Sequence, residues 1–295
     1  MSTKKDYNKL ALALHKKLKG KISVESKGKL KSKTDWSTMY TPGVGAVSSH
    51  LAKFPKQARE YTMKRNTVAV VSDGSAVLGL GNIGALASLP VMEGKAAIFK
   101  ELGDVDAVPV LVDSQEPEEI IRTVKNIAPG FGGINLEDIA APKCFEIEER
   151  LKEGLDIPVM HDDQHGTAIV VLAGLINAAK VVEKKLSSMK VVIVGAGAAG
   201  RAIALILGLA GVGEIVVVDS KGAIYDGRPA LAGYKKDLAK ITNQNKISGD
   251  VMMAVDGADV IIGVSGPGTI APAHIERMSH QPIVFALANP VPEII

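Results

Sequence analysis

The sequence predicts an α/β protein built as two parallel-sheet domains. Short β-branched runs alternate with helix-length segments along most of the 295 residues, as strands joined by crossover helices do. A glycine triplet follows one such strand and opens an apolar helix, in Val191-Val-Ile-Val-Gly-Ala-Gly-Ala-Ala-Gly200. A polar break, Lys184-Lys-Leu-Ser-Ser188, separates two series of these elements.

Asp6 to Leu18 reads as a helix, its lysines interleaved with Leu10, Leu12, Leu14 and Leu18. The first series then runs Thr67 to Val71 strand, Gly84 to Lys100 helix, Val108 to Val112 strand, Glu116 to Ile127 helix, Gly133 to Leu136 strand, Cys144 to Leu155 helix and Ile157 to Met160 strand. Glu116-Pro-Glu-Glu119 starts a helix, with proline in the first turn and acids at the positive dipole end. The second series runs Lys190 to Val194 strand, Ala198 to Leu209 helix, Glu214 to Val218 strand, a helix near 229–240, Asp259 to Val264 strand and Ile283 to Ala288 strand. A Gly166 to Val182 helix joins the domains, residues 1–165 forming the first and 166–295 the second. There is no internal repeat or low-complexity tract.

Composition narrows the functional classes. The chain is 46% hydrophobic and 23% charged, ordinary for a globular protein. A single cysteine, Cys144, excludes an internal disulfide framework and leads us to expect a cytoplasmic protein. The start MSTKKDYNKL has no apolar core of a signal peptide, and the longest apolar runs fall short of the ~18 residues that span a bilayer. No membrane association is expected. Residues 1–35 hold eleven lysines against Asp6, Glu25 and Asp35, a balance of +8 that leaves −5 of the total +3 for the rest. That arm has no arginine and the chain is only 4% aromatic, so base-edge readout and stacking are poorly supplied and no nucleic-acid partner is expected.

The triplet Gly195-x-Gly197-x-x-Gly200 defines the second domain as Rossmann type. Gly195 permits the tight turn, Gly197 lets the backbone approach a pyrophosphate, and Gly200 allows close helix-strand packing, while Ala198 lies where the helix N-terminus meets the phosphates. The next strand ends in Asp219, nineteen residues after Gly200, placed to accept from an adenosine ribose hydroxyl. Asp219 favours NAD. Lys221 is placed to attract a 2′-phosphate and admit NADP.

Four segments outside this motif carry reactive side chains beside glycine or proline: Tyr40-Thr-Pro-Gly-Val-Gly45, Val91-Met-Glu-Gly-Lys-Ala-Ala97, Gly133-Ile-Asn-Leu-Glu-Asp-Ile139 and Pro158-Val-Met-His-Asp-Asp-Gln-His165. Each has a quieter explanation: Tyr40 as a core aromatic, Lys95 as a surface lysine opening a strand, Glu137-Asp138 as solvated loop acids, Asp163 as the N-cap of a helix beginning at Gln164. Taken together, carboxylates following two strand ends make a three-oxygen cage suited to Mg²⁺ or Mn²⁺. Zinc held by His161 and His165 is the rival, weakened by the want of a third distant ligand.

Taken in order, Tyr40-Thr-Pro-Gly-Val, Gly74-Ser-Ala-Val-Leu-Gly-Leu-Gly-Asn-Ile-Gly84, Met92-Glu-Gly-Lys95, Asn135-Leu-Glu-Asp-Ile139, His161-Asp-Asp-Gln-His-Gly-Thr-Ala168 and Leu287-Ala-Asn-Pro290 resemble malic enzyme in its short prokaryotic form. The resemblance runs from about Thr38 to the last residue, and malolactic enzyme shares much of it. It implies oxidative decarboxylation of L-malate to pyruvate and CO₂ with reduction of NAD or NADP and a divalent cation. It further implies Glu137, Asp138 and Asp163 as metal ligands, Lys95 as general base, Tyr40 as general acid, Asp162 as the neighbour that positions Lys95, and Asn289 at the substrate or nicotinamide. The family leads one to expect a homodimer, with the Asp6 to Leu18 helix packing on the second subunit. Family members usually continue past the Ala-Asn-Pro turn, so a catalytically impaired dinucleotide-binding fragment acting through partners is the alternative expectation.

Overall fold

The computed structural model describes residues 6–294. The chain packs as two units: the first holds residues up to 75, then 82–137 and 147–159, and the second holds 76–81, 138–146 and the described residues from 160 onward. In chain order, the elements up to the second sheet are α1 (Tyr7–Leu18), α2 (Lys33–Met39), α3 (Val44–Lys53), α4 (Ala58–Tyr61), β1 (Thr67–Ser72), α5 (Ala85–Gly103), β2 (Asp106–Leu111), α6 (Pro117–Ile127), β3 (Gly133–Leu136), α7 (Lys143–Gly154), β4 (Val159–His161) and α8 (Asp162–Val181).

The first sheet has the order β2-β1-β3-β4. Its centre, β1, pairs in parallel with β2 and β3, placing Ala69 opposite both Val108 and Ile134. Ala69, Val70 and Val71 are fully buried, which is why this strand reads as an unbroken apolar run. The ladder continues one residue past β3, where Glu137 N–H donates to the Val71 carbonyl at 2.8 Å. In α6, Pro117 and two acids occupy the first turn as expected. The Asp6 carboxylate caps α1 by accepting from the Asn8 and Lys9 N–H groups, yet none of the described α1 side chains is buried. The sequence reading assigned no elements between 33 and 61, although Ser32 and Asp35 form a reciprocal capping box that opens α2.

The second sheet is built from β5 (Lys190–Val194), α9 (Ala198–Leu209), β6 (Glu214–Asp219), β7 (Gly222–Ala223), α10 (Tyr234–Ile241), α11 (Val251–Ala254), β8 (Val260–Gly263), α12 (Pro272–Glu276) and β9 (Ile283–Ala286). Its order is β7-β6-β5-β8-β9. All pairings are parallel except the short β7 edge. The chain runs outward from β5 in both directions, so the switch point of a Rossmann sheet falls beside β5. One face is covered by α8 and α9 through Val171, Leu175, Ile203 and Leu207 against Ile193 and Val217. The other face packs Ala254 and Val255 against Val192 and Ile261.

Boundaries shift where local geometry overrides the apolar pattern. The helix expected from Gly166 begins at Asp162, directly after β4, so the His-Asp-Asp stretch is its first turn. The helix expected near 229 waits until Tyr234, behind Gly233 at φ 56°. Leu207 is fully buried in the α9 interface. Leu207→Ala should therefore cost about 2–5 kcal/mol, read as a lowered unfolding midpoint in thermal or urea melts.

Candidate functional site

The glycine loop follows β5. Gly195 sits at φ 122°, and a methyl there or on Gly200 would strike backbone oxygens, of Val264 and of Gly195 respectively. A methyl on Gly197 would instead meet open space. That residue is the N-cap of α9, where no described side chain caps the helix, so its first N–H groups face outward beside Ala198. The loop borders a cavity of about 450 Å³ whose walls include Gly195, Gly197, Asp219, Tyr234, Lys235 and Thr269. The Tyr234 hydroxyl donates to the Ala196 carbonyl at 2.6 Å, tying the start of α10 to the loop. An open glycine cradle, an uncapped helix start and an acid at the next strand end fit a dinucleotide.

Asp219 is more occupied than the sequence suggested. Arg228 grips both carboxylate oxygens, with Nη1 at 2.9 Å and Nη2 at 2.8 Å. Lys235 Nζ stands 2.7 Å from one oxygen, and Lys221 N–H donates to the other at 2.9 Å. Burial pushes this carboxyl up, but Arg228, Lys235 and the Lys221 amide outweigh it and hold it far below the usual carboxylate range. Lys221 thus contributes its backbone, while its side chain is exposed. Arg228 and Lys235 were missed because they lie nine and sixteen residues beyond Asp219, outside any short motif.

The carboxylates gather at the end of β3. Glu137 and Asp138 are consecutive and buried, and one oxygen from each lies within 4.8 Å of the others and of an oxygen of Asp163. Asp138 adopts φ 54°, a left-handed conformation costly for a residue with a side chain. Its main chain is held there from both sides, since its N–H donates to Asp163 Oδ2 at 2.9 Å and its carbonyl accepts from Ala76 N–H at 2.9 Å. His161, fully buried, brings Nε2 to 3.2 Å from the same Asp163 oxygen. Asp163 is not the N-cap expected from the sequence: His161 takes that position and Asp163 lies inside the first turn. Among the described residues this carboxylate trio is the one group of three or more such side chains close enough to share a metal ion, and neither His161 nor His165 belongs to it.

Lys95, expected on α5 or opening a strand, lies on the helix and points its Nζ to 3.0 Å from Glu137 Oε1. Asn135 Nδ2 donates to the other Glu137 oxygen at 2.8 Å. Asp162 opens α8, and a methyl on Gly166 would collide with its carboxylate. Tyr40 ends α2 with 63% of its surface exposed, so it is no core aromatic. Asn289 is exposed just after β9. Three close hard oxygens, two of them buried, make a donor set that fits Mg²⁺ or Mn²⁺.

The fold and the glycine cradle define a dinucleotide-binding protein. Residues 19–152 match the malic enzyme N-terminal domain and residues 164–294 the malic enzyme NAD-binding domain. The chain is 56% identical over 275 residues to an NAD-dependent malic enzyme of Geobacillus stearothermophilus, covering 93% of this chain and 58% of that enzyme. It is 52% identical over 285 residues to a bifunctional malic/malolactic enzyme of Bacillus subtilis, covering 96% of this chain and 70% of the relative. The crystal structure of an NAD-dependent malic enzyme from Thermotoga maritima superposes with a TM-score of 0.94 at 51% identity, over 97% of this chain and 76% of that one. The chain belongs to the malic enzyme family.

The caged Asp219 sets a pH dependence. Its folded pKa lies below the unfolded value of about 3.9, so its stabilisation is present above that value and is lost as pH falls through the acid range. Asp219→Asn should destabilise the protein at pH 7 by about 3–5 kcal/mol, since Arg228 and Lys235 lose their counter-charge. The gap to the parent protein in urea melts should narrow steadily below about pH 4.

Proposed function

We propose that the chain oxidatively decarboxylates L-malate to pyruvate and CO₂, reducing NAD or NADP and using Mg²⁺ or Mn²⁺. The carrying observation is Lys95 Nζ set 3.0 Å from Glu137, which is itself one of a cluster of three carboxylates. The chain spans 58% of the Geobacillus enzyme's length, and that relative's name supports the substrate and reaction without supplying them.

Glu137, Asp138 and Asp163 would hold the cation, which when bound supplies positive charge beside the C2 oxygen of malate during oxidation and decarboxylation. Lys95 accepts the C2 hydroxyl proton as the hydride leaves C2. Glu137 holds Lys95 Nζ at 3.0 Å and would also be one of the residues that hold the cation, so the base is kept at the edge of the proposed metal site. Asp162 positions Lys95. After CO₂ departs, Tyr40 delivers a proton to C3, and the exposure of its side chain gives solvent access to restore that proton. Asn289 contacts the substrate or the nicotinamide.

Identity to an NAD-dependent enzyme supports NAD as the preferred cofactor, while other relatives are named NADP-dependent. Lys235, beside Asp219 and 30% exposed, is the cation best placed to meet a 2′-phosphate. The name of the Bacillus relative favours a second reading in which malate yields lactate and CO₂ without net cofactor reduction. The exposed Tyr7, Leu10, Leu12, Leu14 and Leu18 of α1 support packing against a second copy, in a cytoplasmic homodimer.

Malate-dependent NADH formation with and without Mn²⁺ tests the reading, with lactate measured in parallel. Turnover should require the metal, and its absence at saturating malate despite tight cofactor binding would overturn the proposal in favour of an impaired binding chain. Lys95→Ala and Tyr40→Phe should each lower kcat by ~10² to 10⁴ with unchanged circular dichroism. Lys235→Ala should raise KM for NADP about tenfold or more and change that for NAD little, in initial-rate assays with both cofactors.

A further inference from the structure

Glu293 has 0% of its surface exposed, and the proposed chemistry does not use it. Burying a carboxylate is costly unless its oxygens are hydrogen-bonded. Here each oxygen takes one backbone donor: Ser265 N–H reaches Oε1 at 2.9 Å and Ala288 N–H reaches Oε2 at 3.0 Å. The donors occupy matching positions. Ser265 comes two residues after β8 and Ala288 two after β9, and the last residues of these neighbouring strands, Gly263 and Ala286, stand in register. A methyl on Gly263 would come within 2.5 Å of Glu293 Cδ, so β8 must end in glycine to admit the carboxylate.

The bond to Ala288 closes residues 288–293 into a loop that presents Asn289 outward. The bond to Ser265 fixes a wall of the dinucleotide cavity, where Ser265 Oγ and Thr269 Oγ1 lie 2.8 Å apart. The Asn289 to Pro290 turn also rests on Gly79, where a methyl would sit 3.3 Å from Pro290 Cδ. In a Rossmann sheet the pyrophosphate lies at the loop after the first strand and the adenosine over the second. With those places taken by the loop after β5 and by Asp219 after β6, the nicotinamide half falls to the carboxyl ends of β8 and β9.

We infer that Glu293 is a positioning residue: its buried carboxylate aligns the Ala288-Asn289-Pro290 turn with the Ser265 to Thr269 wall, and so orients the nicotinamide half of the dinucleotide rather than the adenosine half. The inference rests on the dinucleotide part of the proposed function. Glu293→Gln keeps the shape but turns an amide NH₂ toward one of the two N–H donors. Glu293→Asp keeps the charge and withdraws it by one methylene.

The test compares NADH with ADP-ribose, which lacks the nicotinamide, as ligands of the full chain by calorimetry. Glu293→Gln should bind ADP-ribose within about twofold of the parent and NADH about tenfold more weakly, the size of one lost hydrogen-bonded alignment. Malate turnover should drop about 10²-fold in kcat, as a misplacement of about 1 Å can produce. Glu293→Asp should show the same split, smaller, and serves if the glutamine variant does not fold. Equal loss of both ligands, or unchanged NADH binding, overturns the inference. If the Glu293 variants show the split between ligands while the parent shows no malate turnover, the malate reading falls and Glu293 keeps its place, whereas a parent that binds neither ligand sinks both.

Discussion

Three carboxylates forced together at the end of β3 are the constraint on which the proposed chemistry depends. Each pair of charges at about 5 Å repels by on the order of 3 kcal/mol at an effective dielectric of ~20. Burial of Glu137 and Asp138 denies them the screening that would soften this. The fold nevertheless spends structure on keeping them close: a left-handed Asp138, its amide on Asp163, the Asp163 carboxylate beside His161, and an asparagine on Glu137. Such an arrangement is stable only opposite positive charge, and Lys95 supplies one unit of it at 3.0 Å. The proposed divalent cation would add further positive charge at the same three carboxylates. The lysine that balances the cluster is also the proposed base, so charge balance and proton transfer are one problem solved by one group.

The cofactor half shows the same economy with the signs reversed. Asp219 is gripped by Arg228 and Lys235, and its carboxylate takes four donors. Consecutive residues of α10 divide the work, Tyr234 bonding the glycine loop and Lys235 bonding the acid at the end of β6. The phosphate cradle and the ribose corner are thereby held to each other through one short helix. Further along the sheet, Glu293 performs the equivalent task for the two loops after β8 and β9.

What was legible in the sequence follows from the range of the physics involved. Parallel strands buried on both faces leave continuous apolar runs, so β1, β3, β5 and β6 could be read within a residue or so, and the glycine triplet carries its own steric logic. Glu137, Asp138 and Asp163 were readable as a set because acids that follow two strand ends of one parallel sheet open on the same side, and the structure brings them together. Partners that meet only through the fold left no local trace: Lys95 with Glu137, Arg228 and Lys235 with Asp219, and Glu293 with two loop amides. The early start of α8 was hidden for a related reason. Asp163 looks like a cap in isolation, but the strand before it ends at His161 and leaves the cap position to that residue.

The proposed chemistry requires that the carboxylate trio hold a divalent cation. Titrating the full chain with Mn²⁺ and following the loss of free Mn²⁺ signal by electron paramagnetic resonance addresses this without any need for turnover. The account predicts one Mn²⁺ bound per chain, with binding abolished in Asp138→Asn while NADH binding persists. Equal Mn²⁺ binding by the parent and Asp138→Asn proteins, or none by either, would contradict it.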